Sequence, residues 1–228
     1  MFFCLFVIIF IVLMENENHQ IEYWDKVSNE KKFTTHLDFN IINKYLNKNS
    51  LIVDYGCGYG RTLKQLYDVG YRKLVGFDYS SGMIERGKRS FSELDLRVST
   101  NNLIACESNT VDAVILFAVL TCIIDDNQQI RLVEEIRRVL KPGGIIYIND
   151  FLTNNDERNT NRYTKFMSKY NTYGVFELDE GAILRHHNAE WINKLVSDFE
   201  KKEYKEIIFR TMNGHTSNGF VFIGSKKK

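Results

Sequence analysis

The stretch that decides the fold is Leu51-Ile52-Val53-Asp54-Tyr55-Gly56-Cys57-Gly58-Tyr59-Gly60-Arg61-Thr62. Its first three residues are apolar and two of them are β-branched, which is typical of a strand buried in a sheet. Asp54 ends this run, and the glycines at positions 56, 58 and 60 predict a tight turn into a helix. Glycine accepts positive φ and lets a ligand approach the backbone closely. A strand, a glycine turn and a helix N-terminus together predict a site for a nucleotide-like ligand.

The spacing of the glycines distinguishes between two kinds of cofactor. The dinucleotide fingerprint G-x-G-x-x-G, started at Gly56, requires a glycine at position 61, where the chain has Arg61. The observed pattern, an acidic residue followed by x-G-x-G-x-G, resembles motif I of the class I S-adenosylmethionine-dependent methyltransferases. The resemblance implies that the glycine backbone packs against the methionine part of the cofactor, with Asp54 helping to hold its amino group. For the motif alone, the alternative is an ordinary strand-to-helix turn.

A second acid supports the same interpretation. Leu74-Val75-Gly76-Phe77-Asp78 predicts another buried strand, and Asp78 lies 18 residues beyond Gly60. A carboxylate at the end of the second strand can accept hydrogen bonds from ribose hydroxyls, and the family's second signature has its acid there. The residues that the resemblance implies at the S-adenosylmethionine site are Tyr23, Asp54, Gly56, Cys57, Gly58, Gly60, Asp78, Tyr79, Met83, Ser99, Thr100 and Phe117.

One loop departs from the family pattern. The family often carries an acidic residue after the third strand, and that acid contacts the adenine. This chain has Ser99 and Thr100 there. We therefore expect hydroxyl or backbone groups to make the adenine contacts.

The rest of the chain alternates between strand and helix patterns. Strands are predicted at residues 94–98, 111–117, 145–148, 205–211 and 220–224, and helices at 129–140 and after the caps Ser80 or Ser81 and Asn188. This order predicts an α/β fold with a doubly wound sheet. The resemblance implies a Rossmann-like sheet of seven strands with the last one antiparallel, N-terminal cap helices and a lid insertion after strand 5.

Composition excludes some partners. The chain has 228 residues and a formal net charge of +1, so nothing predicts a polyanionic partner, and no nucleic acid is expected. Its four cysteines include no C-x-x-C pair, so we expect neither a metal site nor disulfides, and a reduced cytoplasmic setting.

The N-terminus carries 13 consecutive apolar residues at positions 2–14. A membrane span needs roughly 20, and a signal peptide needs a basic start and a small-residue cleavage site. Three explanations remain: a native start at Met14, which we favour, a tail with weak membrane association, or an atypical signal. We expect no stable membrane insertion and one methyltransferase domain over residues 15–228.

The long stretch at residues 150–187 breaks the strand–helix rhythm and is predicted to form the lid and substrate region. Methyl transfer by in-line displacement needs the acceptor atom within about 3–3.5 Å of the methyl carbon. A general base is needed only for an acceptor that is protonated in its ground state. The candidates are His186 and His187, followed by Asp150. The alternative is that one histidine packs in the interior and the other is solvated.

The acceptor class follows only by elimination. After the fourth strand the chain has Ala118-Val119-Leu120-Thr121, which matches neither the Asn-Pro-Pro-Tyr-like motif of amino-directed enzymes nor a Pro-Cys nucleophile. A small-molecule acceptor is therefore the leading prediction. The alternatives are a protein or RNA acceptor, a nicotinamide-binding oxidoreductase, and a cofactor-binding module without turnover. Release of S-adenosylhomocysteine would separate an active enzyme from such a module.

Overall fold

The structure is a computed structural model that describes residues 20–100, 103–211 and 214–228. The apolar run at residues 2–14 lies outside the described residues. The described helices are α1 (20–26), α2 (Phe39–Tyr45), α3 (Arg61–Asp68), α4 (Ser81–Ser90), α5 (Asp126–Val139), α6 (Glu157–Tyr170) and α7 (Ala189–Leu195). The strands are β1 (Ile52–Tyr55), β2 (Leu74–Asp78), β3 (Asp95–Val98), β4 (Val111–Phe117), β5 (Leu140–Phe151), β6 (Val175–Glu177), β7 (Ile183–Arg185), β8 (Phe199–Arg210) and β9 (Thr216–Lys226).

The main sheet has seven strands in the order β3-β2-β1-β4-β5-β9-β8. Strands β1 to β5 are mutually parallel, whereas β9 is antiparallel to both of its neighbours, β5 and β8. This arrangement confirms the predicted doubly wound sheet with an antiparallel last strand. Ligands of such sheets bind at the carboxyl ends of the parallel strands, on either side of the point where the strand order reverses.

The sheet is buried on both faces, which explains its apolar strands. In β1, Val53 and Tyr55 pack into one apolar cluster together with α5, while Ile52 packs into a second cluster with α2 and α3. Every residue of β1 is buried. A strand that is covered on both faces has apolar residues at successive positions, without the alternation of a half-exposed strand. The start of β1, Ile52-Val53, follows this pattern.

Two regions differ in length from the sequence prediction. Strand β5 begins directly after α5, and its pairing with β4 shifts between Leu140 and Ile145, so the Lys-Pro-Gly-Gly stretch forms an irregularity within the strand. Strands β8 and β9 pair from Phe199–Lys226 to Arg210–Thr216 and are longer than predicted. Their outer residues are charged, so hydrophobic pattern alone underestimates them.

The insertion after β5 contains α6 and a separate two-stranded sheet formed by β6 and β7. Its two ends lie side by side, because Leu152 bridges to His187. This pairing returns the chain to the edge of β5 before α7 begins. The insertion is therefore anchored at the carboxyl end of the sheet, and its action as a lid stays a prediction.

Membrane-spanning helices and metal-ligand clusters are both absent from the described part of the chain. Over residues 20–100, 103–211 and 214–228, no helix has the length and apolar character to cross a membrane. Over the same ranges, no three His, Cys, Asp or Glu side chains gather as ligands for a metal ion.

Candidate functional site

The glycine turn after β1 has a backbone that only glycine adopts easily. Gly56, Gly58 and Gly60 have φ values of 72°, 54° and 83°. The backbone N–H groups of Gly56 and Cys57 both donate to the carbonyl of Phe77, at 2.7 and 3.0 Å. A Cβ on Gly56 would lie 2.6 Å from Cγ2 of Val119. The turn therefore stays tight against β2 and the end of β4, and only glycine fits there.

Asp78, at the end of β2, joins the glycine turn to α4. Its carboxylate accepts hydrogen bonds from the backbone N–H of Gly58 at 2.7 Å and of Ser80 at 2.9 Å. Ser80 in turn caps α4 by accepting from the N–H of Met83 at 3.0 Å, as predicted. Burial raises the pKa of Asp78 to about 6, although the two N–H groups favour the carboxylate. One side chain thus fixes both the turn and the start of the next helix.

Asp54 and Arg61 are an acidic and a basic residue at the two ends of the glycine turn. Both carboxylate oxygens of Asp54, and Nε and Nη1 of Arg61, are buried without a hydrogen-bond partner among the described residues. Burial raises the pKa of Asp54 to about 8, against the nearby positive charge of Arg61. Buried polar groups in proteins are almost always satisfied, so these atoms indicate a ligand. An ammonium for Asp54 and a carboxylate for Arg61 are the two ends of an amino acid, so the residues fit the methionine part of S-adenosylmethionine.

The raised pKa of Asp54 predicts a pH dependence of cofactor binding. An ammonium bound beside Asp54 stabilises the carboxylate, so binding must release the proton that Asp54 carries below pH 8. We expect the affinity for S-adenosylhomocysteine to rise as the pH increases from 6.5 to 8, by up to about tenfold per unit. Calorimetry over this window measures the trend. Asp78, with a pKa of about 6, is already mostly ionised over this pH range, so its titration adds little to the trend.

The matched variant for this trend is Asp54→Asn. It keeps the shape of the side chain and removes the titrating proton, so we expect weaker binding and a nearly flat pH profile. An unchanged slope in Asp54→Asn would show that another group holds the amino end of the ligand.

The N-terminal cap, defined here as residues 20–38, lies against the glycine turn. Cε2 of Phe33 is 2.9 Å from the position of a Cβ on Gly58, and the Phe33 ring stacks on Tyr59 with centroids 5.4 Å apart. Asp25 accepts from the hydroxyl of Ser80 at 2.6 Å and from the N–H of Gly82 at 2.9 Å. The cap is therefore bound to α4 at the turn that Asp78 organises.

Tyr23 is buried within this cap. Its hydroxyl donates to Glu180 in the insertion at 3.0 Å, and Glu180 also pairs with Lys31 at 2.5 Å. The ring packs with Val27 and Ala182. These contacts tie the N-terminal cap to the insertion, and a contact of Tyr23 with the cofactor stays a prediction.

The remaining predicted cofactor residues lie around the same turn. Ser99 is buried and its N–H donates to the carbonyl of Asp78 at 2.8 Å, whereas Thr100 is exposed. The hydroxyl of Tyr79 accepts from that of Tyr55 at 2.8 Å. Phe117 lies at the end of β4, with the guanidinium of Arg61 5.5 Å from its ring centroid. Cys57 and Met83 are both buried.

His186 lies in the interior of the insertion. Its Nδ1 is 2.6 Å from the hydroxyl of Tyr163 and 3.2 Å from Nδ2 of Asn154, and its ring stacks on Phe151. Burial, together with the positive charge of Arg162, holds the pKa of His186 well below its usual range. The side chain is therefore neutral at physiological pH and held by its neighbours.

His187 is engaged at both ring nitrogens. Its Nε2 is 2.8 Å from Nε2 of Gln129, and its Nδ1 is 3.3 Å from the carbonyl of Phe151. The indole of Trp191 donates to Oε1 of Gln129 at 2.7 Å. Burial lowers the pKa of His187 to about 3. The ring thus connects α5, α7 and the edge of β5.

Asp150 is the third candidate base and is fully buried. Its carboxylate accepts from the N–H of Phe151 at 2.8 Å and from that of Thr121 at 3.2 Å. Burial raises the pKa of Asp150 to about 7. All three candidates hydrogen-bond to protein groups, which favours a positioning role, and their action as a general base stays a prediction.

Replacement of His187 by alanine tests this positioning role. The change removes the ring's hydrogen bonds to the amide of Gln129 and the carbonyl of Phe151, both of which keep other partners, and it opens space in the interior. We expect the free energy of unfolding to fall by about 2–4 kcal/mol, measured by denaturant unfolding. Affinity for S-adenosylhomocysteine, measured where the variant is folded, should stay unchanged. A loss of affinity in the folded variant would place His187 in the cofactor site instead.

The structure contains a cavity of about 570 Å³ that the sequence does not predict. It lies between the N-terminal cap and the face of the sheet formed by β5, β8 and β9, and its wall includes Tyr147 and Asn149. Positions 147 and 149 lie on the same face of β5, but the strand predicted from the sequence ends at residue 148. The other walls come from distant parts of the chain, so spacing could not bring them together.

Comparisons with known proteins agree with this geometry. A family model described as a methyltransferase domain matches residues 53–148. Among curated proteins, the eEF1A lysine and N-terminal methyltransferases of Homo sapiens and Danio rerio are 27% and 28% identical over 145 and 143 residues. These matches cover 54% of this chain and 20% of each relative, so the chain matches about a fifth of their length.

Solved structures give the same fold. An S-adenosylmethionine-dependent methyltransferase from Methanosarcina mazei superposes with a TM-score of 0.80 at 25% identity, covering 85% of this chain and 99% of that one. The 1,6-didemethyltoxoflavin-N1-methyltransferase of Burkholderia thailandensis, solved with its acceptor and S-adenosylhomocysteine, gives a TM-score of 0.60 at 15% identity, covering 83% and 76%.

Proposed function

We propose an acceptor from one premise: the chain belongs to the class I S-adenosylmethionine-dependent methyltransferase family, and S-adenosylmethionine is its cofactor. The proposed acceptor is a small molecule, which receives the methyl group by in-line displacement. The predicted cytoplasmic location is part of the same proposal.

The cavity beside the glycine turn carries this proposal. Phe33 contacts Gly58, and the next two residues, Thr34 and Thr35, line the cavity. On the opposite wall, Asn149 pairs in register with Phe117, the last residue of β4. A volume of about 570 Å³ falls within the roughly 300–1,000 Å³ of small-molecule sites. The cavity walls are thus linked through Phe33 to Gly58 and through Asn149 to Phe117, which supports binding of the acceptor there.

The protein's contribution to this reaction is binding and orientation. Bound S-adenosylmethionine supplies a methyl group on a positively charged sulfur. Asp54 and Arg61 would hold its amino-acid end, Asp78 would hold the turn around it, and the N-terminal cap would exclude water from it. An acceptor in the cavity would be held for in-line attack on that methyl group, with sulfur as the leaving group. Its proton would pass to solvent or to a base; Asp150, His186 and His187 stay the predicted bases, although none of them lines the cavity.

A protein acceptor is the second candidate. It is favoured by the curated relatives, which are named for methylating eEF1A. The match covers only about a fifth of the length of these relatives. It therefore supports the presence of a methyltransferase domain more strongly than it supports a protein acceptor.

One labelling experiment separates the two candidates. The chain is incubated with S-adenosylmethionine that carries a tritiated methyl group and with a whole-cell extract split into low-mass and protein fractions. We expect tritium in the low-mass fraction. Label confined to protein would replace the proposal with the second candidate. Asp54→Asn, with its weakened cofactor site, serves as the inactive control.

A further inference from the structure

We infer that the cavity binds an acceptor that carries an anionic group, a carboxylate or a phosphate, at one end and an N–H or O–H donor at the other. This inference rests on the proposed function, because it names the chemical class of the small molecule. It concerns the cavity between the N-terminal cap and the face of the sheet formed by β5, β8 and β9. Among the predicted cofactor residues, Phe117 is a neighbour of the cavity, since it pairs with Asn149.

The inner wall of the cavity contains an unsatisfied polar atom. Oδ1 of Asn149 is buried without a hydrogen-bond partner among the described residues, and the hydroxyl of Tyr147 interacts with the Asn149 side chain. Asn149 is 3% exposed and Tyr147 is 0% exposed, and both residues line the cavity. An unpaired buried polar group costs about 1–3 kcal/mol. A ligand that donates an N–H or O–H to Oδ1 of Asn149 would remove part of that cost.

The outer wall of the cavity is positively charged. Lys205 and Arg210, both on β8, line it, and neither forms an ion pair with a described residue. The wall also holds His36 and Asp38. Nδ1 of His36 contacts the amide of Gln65 at 2.8 Å, and Asp38 caps α2 by accepting from the N–H of Asn40 at 3.0 Å. Two cations without an ion pair among the described residues therefore line the cavity together with one carboxylate that already accepts a hydrogen bond.

This arrangement selects a polar, charged acceptor. Arginine and lysine are the usual ligands of carboxylates and phosphates. The donor end of the acceptor would meet Asn149, which lies beside Phe117 at the end of β4. The anionic end would remain at the mouth formed by β8. The methylated atom is then a nitrogen or oxygen at the inner end of the molecule.

The test fractionates the low-mass extract by charge. An anion exchanger at pH 7.5 separates it into bound and unbound fractions, and each is incubated with the full chain and tritiated S-adenosylmethionine. We expect labelled product from the bound fraction. Treating that fraction with phosphatase before the reaction distinguishes a phosphate, whose labelling is lost, from a carboxylate, whose labelling persists.

Variants on β8 identify the cations. We expect the double variant Lys205→Gln/Arg210→Gln to raise the apparent KM for the active fraction tenfold or more, with kcat within about threefold. Lys201→Gln is the matched control, because Lys201 is an exposed lysine on the same strand and does not line the cavity; its KM should stay within twofold. Both proteins should keep the wild-type affinity for S-adenosylhomocysteine.

Each outcome decides one claim. Labelling from the unbound fraction alone, or a double variant with the wild-type KM, overturns the anionic acceptor and leaves the proposed function intact. Absence of label from both low-mass fractions contradicts the proposed function itself.

Discussion

Replacing Asp78 by alanine is expected to weaken the binding of S-adenosylhomocysteine by about 10- to 100-fold. Hydrogen bonds to a charged group are worth about 1.5–3 kcal/mol each. The predicted loss includes the ribose contact and the organisation of the site, since Asp78 accepts from both Gly58 and Ser80. Without the carboxylate, the glycine turn and the start of α4 lose their common anchor. Isothermal calorimetry at pH 7.5 measures the change.

Asp95→Ala is the matched control for this variant. Asp95 begins the neighbouring strand β3, and its carboxylate pairs on the surface with Arg97. Exposed ion pairs contribute little, so we expect cofactor affinity within twofold of the wild type. If Asp78→Ala binds as tightly as Asp95→Ala, the ribose does not lie at the end of β2.

Replacing Gly87 by alanine is expected to destabilise the fold and the cofactor site together. A Cβ on Gly87 would lie 2.4 Å from Cδ1 of Leu96 and 2.8 Å from the carbonyl oxygen of Tyr59. The side chain of Leu96 can move, but the backbone of Tyr59 belongs to the glycine turn. Alanine has a higher helix propensity than glycine, which stabilises the fold by about 1 kcal/mol. Overpacking of this kind lowers the free energy of unfolding by about 1–3 kcal/mol after that gain is offset. Denaturant unfolding and calorimetry measure the two effects.

The adjacent position supplies the control. Lys88 is exposed on the same helix, so Lys88→Ala changes helix propensity only slightly and meets no neighbour. We expect its unfolding free energy within about 0.5 kcal/mol of the wild type. A Gly87→Ala protein with wild-type stability and cofactor affinity would mean that α4 can move away from the turn without disturbing it.

The glycine turn and the helix starts could be predicted from the sequence because their determinants are local. The turn from Gly56 to Gly60 requires a backbone that few residues adopt, and Ser80 and Asn188 begin helices through hydrogen bonds to residues three positions away. Such signals depend on neighbours in the chain. They therefore fix the order of strands and helices and the positions of Asp54 and Asp78.

The cavity depends on contacts between distant segments. The cavity joins residues near position 35 to Asn149 and to β8, and no spacing rule brings these together. Likewise, the sequence marked His186 and His187 as candidate bases, but not that Tyr163 and Gln129 would engage their rings. Burial of a polar side chain is set by tertiary packing, which a single sequence does not display.

The two tryptophans of the chain give it a built-in optical probe. Trp24 lies in the N-terminal cap, with its ring centroid 6.2 Å from that of Phe33, the residue that contacts the glycine turn. Trp191 lies beside Gln129, in contact with the insertion. In a Trp191→Phe protein, the fluorescence of Trp24 alone would therefore follow the cap. Stopped-flow emission could then time the entry of the cofactor separately from the entry of the acceptor.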